Sequence, residues 1–127
     1  MDKKKILIVD DEQIILKLMK SRLTASGYEI ETAANGLEAI RQAQKWQPDL
    51  ILLDVIMPVM DGYEACKELK AGSATKDIPI IVVTAAPHRG IGQKCIEAGA
   101  LDLVTKPFNS ADLLAIIKKV FNKNGNP

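Results

Sequence analysis

Histidine occurs once in this chain and cysteine only twice, which leaves no spacing suited to a zinc site and no basis for a disulfide framework. Cys66 and Cys95 fall within helical patterns and read as reduced, partly buried thiols. Membrane-length hydrophobic runs are also missing: the longest, over residues 78–83, is far short of the ~20 residues that a span requires. Residues 1–5 are charged and lead directly into a strand pattern, so no secretory signal or membrane contact is expected and the chain reads as cytoplasmic. A net excess of charge of either sign is missing too. The formal net charge is +1, and apart from Lys3, Lys4 and Lys5 the basic residues are scattered, which argues against a nucleic-acid surface. Neither an internal repeat nor a low-complexity block is present. Gly90-Ile91-Gly92 lacks the third glycine of a dinucleotide loop, Cys95 standing in its place.

What is present is 127 residues of which 47% are hydrophobic, enough for one compact core and too few for two. The expected organisation is a single domain over residues 1–122 with a frayed polar tail over 123–127. Short apolar runs at 6–9, 50–53, 78–83 and 103–104 read as strands buried on both faces, with a weaker strand at 29–33. Helical patterns lie between them. In the first, Ile15, Leu18, Met19 and Leu23 form the expected buried stripe before Gly27 closes the segment. Later helices are expected to begin after Asn35 and to run over about 62–70, 92–98 and 110–122. Five strand–helix alternations with right-handed crossovers predict an α/β, doubly wound, five-stranded parallel sheet with helices on both faces, in the flavodoxin-like order 2-1-3-4-5.

All strands of such a sheet end at one edge, where residues distant in sequence converge. Asp10 and Asp11 close the first strand, Asp54 the third and Thr84 the fourth, and Lys106 lies at the end of the fifth. Three carboxylates at neighbouring strand ends repel one another and call for a cation. Oxygen-only ligands favour a hard ion, so Mg2+ is expected, with Mn2+ as a substitute. A carboxylate beside such an ion can attack phosphorus, which makes Asp54 the candidate nucleophile. Thr84 offers a neutral donor to a phosphoryl oxygen and Lys106 a charged one. Taken singly, Asp10 or Asp11 reads as a helix N-cap, Thr84 as a strand-end residue and Lys106 as a surface charge. Their arrival at one edge is what favours a site.

Val9-Asp10-Asp11, Leu53-Asp54-Val55-Ile56-Met57-Pro58 with Asp61-Gly62, Thr84-Ala85 and Lys106-Pro107-Phe108 occur in the order and spacing of a known family. Through them the chain resembles the receiver domain of two-component response regulators, over nearly its whole length. The resemblance implies that a histidine kinase or phosphotransfer protein donates a phosphoryl group to Asp54. Asp11, Asp54 and the Ile56 backbone carbonyl would hold the metal, with Asp10 supporting that shell. Thr84 would move toward the phosphoryl group, and Lys106 would pair with it beside a cis Lys106-Pro107 bond. The chain would then be a signalling switch that catalyses only its own phosphorylation and dephosphorylation. The fourth helix, last strand and last helix would form the output face toward a downstream protein, as a monomer or a phosphorylation-dependent dimer. No effector segment follows in the sequence, so output is expected to pass through another protein.

Several positions depart from the family pattern. Leu103 stands where an aromatic switch residue is common, and Ile56 and Ala86 offer no side-chain hydrogen bond near the acceptor. The breakers of Pro87-His88-Arg89-Gly90-Ile91-Gly92 suggest a loop that phosphorylation orders, with His88 solvated and without a catalytic role. Ile14 and Leu16 flank the first helical stripe, and at least one of them is expected to stay exposed for a phosphodonor. The last helix carries more apolar residues than one stripe needs, leaving surface for a partner. Two rival readings are weaker. A small-molecule phosphohydrolase would want a second Asp two residues after Asp54, where Ile56 stands, and a phosphorylation-independent module usually lacks one of the site residues retained here.

Overall fold

The computed structural model describes residues 3–57, 59–85 and 88–125. Five parallel strands, β1 (Lys5–Val9), β2 (Glu29–Ala33), β3 (Leu50–Asp54), β4 (Ile80–Ala85) and β5 (Asp102–Lys106), form one sheet in the order β2-β1-β3-β4-β5. Five helices connect and cover them: α1 (Gln13–Ala25), α2 (Gly36–Trp46), α3 (Gly62–Ala71), α4 (Arg89–Glu97) and α5 (Ser110–Gly125). The flavodoxin-like expectation is therefore met.

Alternation along each strand divides the core in two. Leu7, Val9, Ile51, Leu53, Ile80 and Val82 point to one layer with Ala39, Ala65, Cys66 and Leu69 of α2 and α3. Ile6, Ile8, Leu50, Leu52, Ile81 and Val104 point to the other, against Leu16 and Leu23 of α1 and Leu113, Ile117 and Val120 of α5. Because β1, β3 and β4 are covered on both sides, their sequences are apolar without a break. Apolar surface removed from water at roughly 25 cal/mol per Å² makes these two layers the main favourable contribution to folding.

Local chemistry sets the helix starts. The Asn35 side chain accepts from the Glu38 N–H at 2.9 Å, and Glu38 reaches back to the Ala34 N–H at 3.2 Å. Asp61 accepts from the Glu64 N–H at 2.9 Å, and Asn109 from the Asp112 N–H at 2.7 Å. At the opposite edge of the sheet, the Lys5 ammonium donates to the Trp46 carbonyl and lies 5.1 Å from the indole centroid.

Three elements differ from the sequence expectation. In α1 the buried residues are Leu16 and Leu23, whereas Leu18 is 53% exposed and Ile15 and Met19 are only half-buried. The apolar positions 14, 15, 16, 18 and 19 run nearly round the helix, so the pattern alone fixes its face to within one position at best. Ile14 is exposed, as expected of one flanking residue, and Leu16 is not. In α4 the helix begins at Arg89, three residues before the expected Gly92, so Gly90 and Gly92 are helical rather than part of a loop. Packing accounts for the second glycine: a Cβ at Gly92 would stand 2.7 Å from Leu103 Cδ1. Finally, α5 continues past Asn122 to Gly125, a common helix-terminating residue, so the first part of the expected tail is helical. Pro58, Ala86, Pro87 and the last two tail residues, named in the sequence reading, lie outside the described residues.

Among the described residues, no helix is long and apolar enough to cross a membrane.

Candidate functional site

The carboxyl edge of the sheet gathers the residues that the sequence singles out. Asp54 ends β3, and its neighbour across the ladder is Val83 of β4. Asp10 follows β1, its N–H held by the Ala33 carbonyl of β2 at 3.1 Å. One oxygen from each of Asp10, Asp11 and Asp54 lies within 4.8 Å of the others. Asp10 and Asp54 are buried, whereas Asp11 is exposed at the mouth. Neither Asp10 nor Asp11 is the N-cap of α1. That position is Glu12, whose N–H donates to Asp10 Oδ1 at 2.9 Å in a local turn.

Lys106 enters from β5. Its Nζ lies 3.4 Å from Asp10 Oδ2 and 3.6 Å from Asp54 Oδ2. The Lys106-Pro107 peptide is cis, as the resemblance implies. Burial alone would lower the Lys106 pKa, but the Asp54 and Asp10 carboxylates, the hydrogen bond to Asp10 and the charge of Glu12 together raise it. Asp54 shifts upward as well. Burial is the largest cause, and the charges of Asp10 and Asp11 add to it against the opposing pull of Lys106 and of the Ile56 N–H. That N–H donates to Asp54 Oδ1 at 3.3 Å.

Thr84 is fully buried one residue before the end of β4, and its hydroxyl donates to the Ala85 carbonyl at 3.2 Å. Among the described residues, no hydrogen bond joins it to the carboxylates. Its methyl group faces Gly92 of α4, next to Leu103. His88 is exposed and precedes α4 without capping it by its side chain.

Two contributors escaped the sequence reading. Glu12 adds negative charge beside Lys106. Gly62 brings the start of α3 onto the end of β3: a Cβ there would sit 2.5 Å from the Asp54 carbonyl oxygen, and its N–H donates to the Val55 carbonyl at 2.8 Å. The signal for Gly62 was present in Asp61-Gly62, a helix cap followed by the smallest residue.

Beside Lys106 lies an apolar groove of about 550 Å³ between α1 and the β5–α5 connection, lined by Ile15, Leu18, Met19, Pro107 and Phe108. The stripe expected to face the core thus faces this groove in large part. Ile56 and Val59, after β3, are also exposed.

A flavodoxin-like sheet whose carboxyl edge holds three carboxylates, two of them bridged by one lysine, defines an α/β domain with a polar site at its topological switch point. The response regulator receiver domain model matches residues 6–118. The chain is 44% identical over 126 residues to the probable transcriptional regulator ycf27 of Cyanophora paradoxa, covering 99% of this chain and 52% of that protein. Among solved structures, chemotaxis protein CheY4 of Vibrio cholerae is 39% identical with a TM-score of 0.87, covering 94% of this chain and 99% of that one. The receiver domain of sensor histidine kinase PA1611 from Pseudomonas aeruginosa PAO1 is 33% identical with a TM-score of 0.87, covering 95% and 99%, and has a magnesium ion coordinated in its active site cleft.

The chain belongs to the response regulator receiver domain family, whose members are phosphoacceptor switches in two-component signalling. It spans about half the length of ycf27.

Proposed function

We propose that this chain accepts a phosphoryl group on Asp54 from a phosphohistidine and thereby switches its contacts with other proteins. The observation that carries the reading is the position of Asp54, buried at the end of β3, 3.6 Å from the Lys106 ammonium and clustered with Asp10 and Asp11. The working unit is residues 1–122 together with the last turn of α5, which continues to Gly125.

The donor set fits a hard divalent cation, because it consists of oxygens alone and carries more negative charge than one lysine balances. Asp11, Asp54 and the Ile56 carbonyl would hold Mg2+, or Mn2+ in its place, with Asp10 in support. When bound, the ion supplies positive charge to the phosphoryl oxygens.

The rest falls to the chain itself. Asp54 Oδ attacks phosphorus, an O–P bond forms, and the N–P bond to the donor imidazole breaks. Lys106 stays protonated throughout and shifts from the free carboxylate toward the new phosphoryl oxygens. The Thr84 hydroxyl leaves the Ala85 carbonyl and donates to the phosphoryl group. Its methyl group leaves the neighbourhood of Gly92 and Leu103, which carries the change to α4 and β5. The chain catalyses this transfer, and later hydrolysis, on itself alone.

The donor is a sensor histidine kinase or histidine phosphotransfer protein. A helical partner fits the apolar groove beside Lys106, where Leu18 is exposed, and Ile14 is exposed one turn earlier on α1. The downstream target meets α4, β5 and α5, either on a monomer or on a phosphorylation-dependent dimer. A kinase charged by ATP acts in the cytoplasm, where this reading puts the protein.

Intact-mass analysis after incubation with acetyl phosphate and Mg2+ tests the core of the proposal. One hydroxylamine-labile phosphoryl group is expected on the wild type and none on Asp54→Asn or in excess EDTA. Uptake that persists in Asp54→Asn overturns the assignment.

A further inference from the structure

The fold joins two residues that the phosphoacceptor reading does not use. Cys66 of α3 and Cys95 of α4 are free, fully buried thiols at the seam where these helices pack. The Cys66 thiol donates to the Cys95 carbonyl at 3.7 Å, which holds its sulfur against the Cys95 residue. A disulfide requires Cβ atoms about 4 Å apart, and a sulfur held against the backbone of its partner residue brings the two side chains into one buried cluster.

We propose that Cys66 and Cys95 form a reversible intramolecular disulfide, stapling α3 to α4, when the protein meets a peroxide.

The surroundings assign the two sulfurs different roles. The hydrogen bond from Cys95 outweighs burial at Cys66 and, with the Lys70 ammonium and the Ala100 N–H, holds that thiol below its usual range. The same hydrogen bond, together with burial and the charge of Cys66, pushes Cys95 up and keeps it protonated. Lys70 is fixed in place, donating to the Ile78 carbonyl at 2.8 Å and the Lys76 carbonyl at 3.1 Å. With the Lys70 ammonium one helical turn away on α3, Cys66 is the sulfur assigned the first reaction, and Cys95 the one that resolves it.

The Cys66 thiolate attacks one peroxide oxygen, the O–O bond breaks, and the departing hydroxide takes a proton to leave as water. The Cys95 sulfur then attacks the Cys66 sulfenic acid. An S–S bond forms, the S–O bond breaks, and the Cys95 proton leaves with the second water. Two thiols are oxidised and one peroxide is reduced to two waters. Access comes through opening of α4, which has no side-chain N-cap and carries Gly90 and Gly92, both poor helix formers. Oxidation is thus slower than at an exposed thiol, and its rate follows the opening of that helix.

The test treats the full chain under native conditions with hydrogen peroxide and reads intact mass and a non-reducing peptide map. The expected result is the loss of two hydrogens, one cross-linked peptide pair holding Cys66 and Cys95, and full reversal by dithiothreitol. Asp54→Asn should behave identically, which separates this inference from the phosphoacceptor reading. Cys95→Ala should halt at a sulfenic acid on Cys66, trapped by dimedone. In the oxidised wild type, hydrogen exchange in α4 should slow. Thiols that survive a peroxide dose converting the urea-unfolded chain overturn the proposal, as does oxidation that joins separate chains and never Cys66 to Cys95.

Discussion

The Lys106 ammonium reaches the Asp54 carboxylate at 3.6 Å although β4 lies between their strands. One flexible stem spans the width of a strand, so the central acid of the site is balanced by a charge fixed to the far edge of the sheet. Replacing Lys106 with methionine keeps the stem and removes the charge. Phosphoryl uptake should fall, while Mg2+ should bind more tightly, by roughly tenfold, because the lysine no longer competes for the carboxylates. Calorimetric titration of Mg2+ into both proteins checks this; equal affinities would argue against the competition.

Asp54 carries a raised pKa, caused first by burial and then by its acidic neighbours against the pull of Lys106. The folded state therefore binds a proton that the unfolded state has already released. Its favourable contribution is complete below the ordinary carboxylate pKa and is lost as pH rises through the folded value. Asp54→Asn should raise Tm by a few degrees at neutral pH without metal, and the gain should shrink as pH falls into the carboxylate range. Thermal melts at several pH values decide the point, and a gain that grows on acidification would reverse the assigned sign.

Gly62 and Gly92 look alike in sequence and differ in what a methyl group would meet. At Gly62 it strikes backbone, the Asp54 carbonyl oxygen and Val55 Cα at 2.5 Å each. At Gly92 the nearest atom is the end of the Leu103 side chain, which can rotate. Gly62→Ala should cost about 3 kcal/mol and disturb phosphoryl uptake. Gly92→Ala should change stability by no more than about 1 kcal/mol, since helix propensity offsets the shift of Leu103. Urea denaturation distinguishes the two, and equal losses would show that backbone and side-chain obstacles are not different here.

The first helix offers a similar contrast. Leu16 is buried against the sheet and Leu18 borders the groove. Leu16→Ala should cost about 3 kcal/mol. Leu18→Ala should stay within about 0.5 kcal/mol in stability. It should also leave acetyl phosphate uptake unchanged and slow transfer from a phosphohistidine protein. Stability and transfer assays on both variants test whether the groove docks the donor.

These contrasts mark what the sequence carried and what it did not. Strand order was legible because β1, β3 and β4 are apolar on both faces and separated by crossover-length helices, which leaves few topologies. The positions of Asp10, Asp11, Asp54 and Lys106 followed from the same logic, since all parallel strands end together. The face of α1 was not legible, because five apolar residues surround its first turns. The start of α4 was hidden by glycine's low helix propensity, which packing against Leu103 outweighs. The meeting of Cys66 and Cys95 depends on α3 lying beside α4, a relationship that no local spacing encodes.

The single tryptophan gives the sheet an optical asymmetry. Trp46 lies at the amino edge beside Lys5, while the carboxylates and Lys106 occupy the opposite edge. Its fluorescence will report cooperative unfolding of the sheet and stay largely silent to ion or phosphoryl chemistry, so melts and titrations on one sample will not contaminate each other. A probe for the working edge has to be introduced, and exposed Val59 offers a place for it.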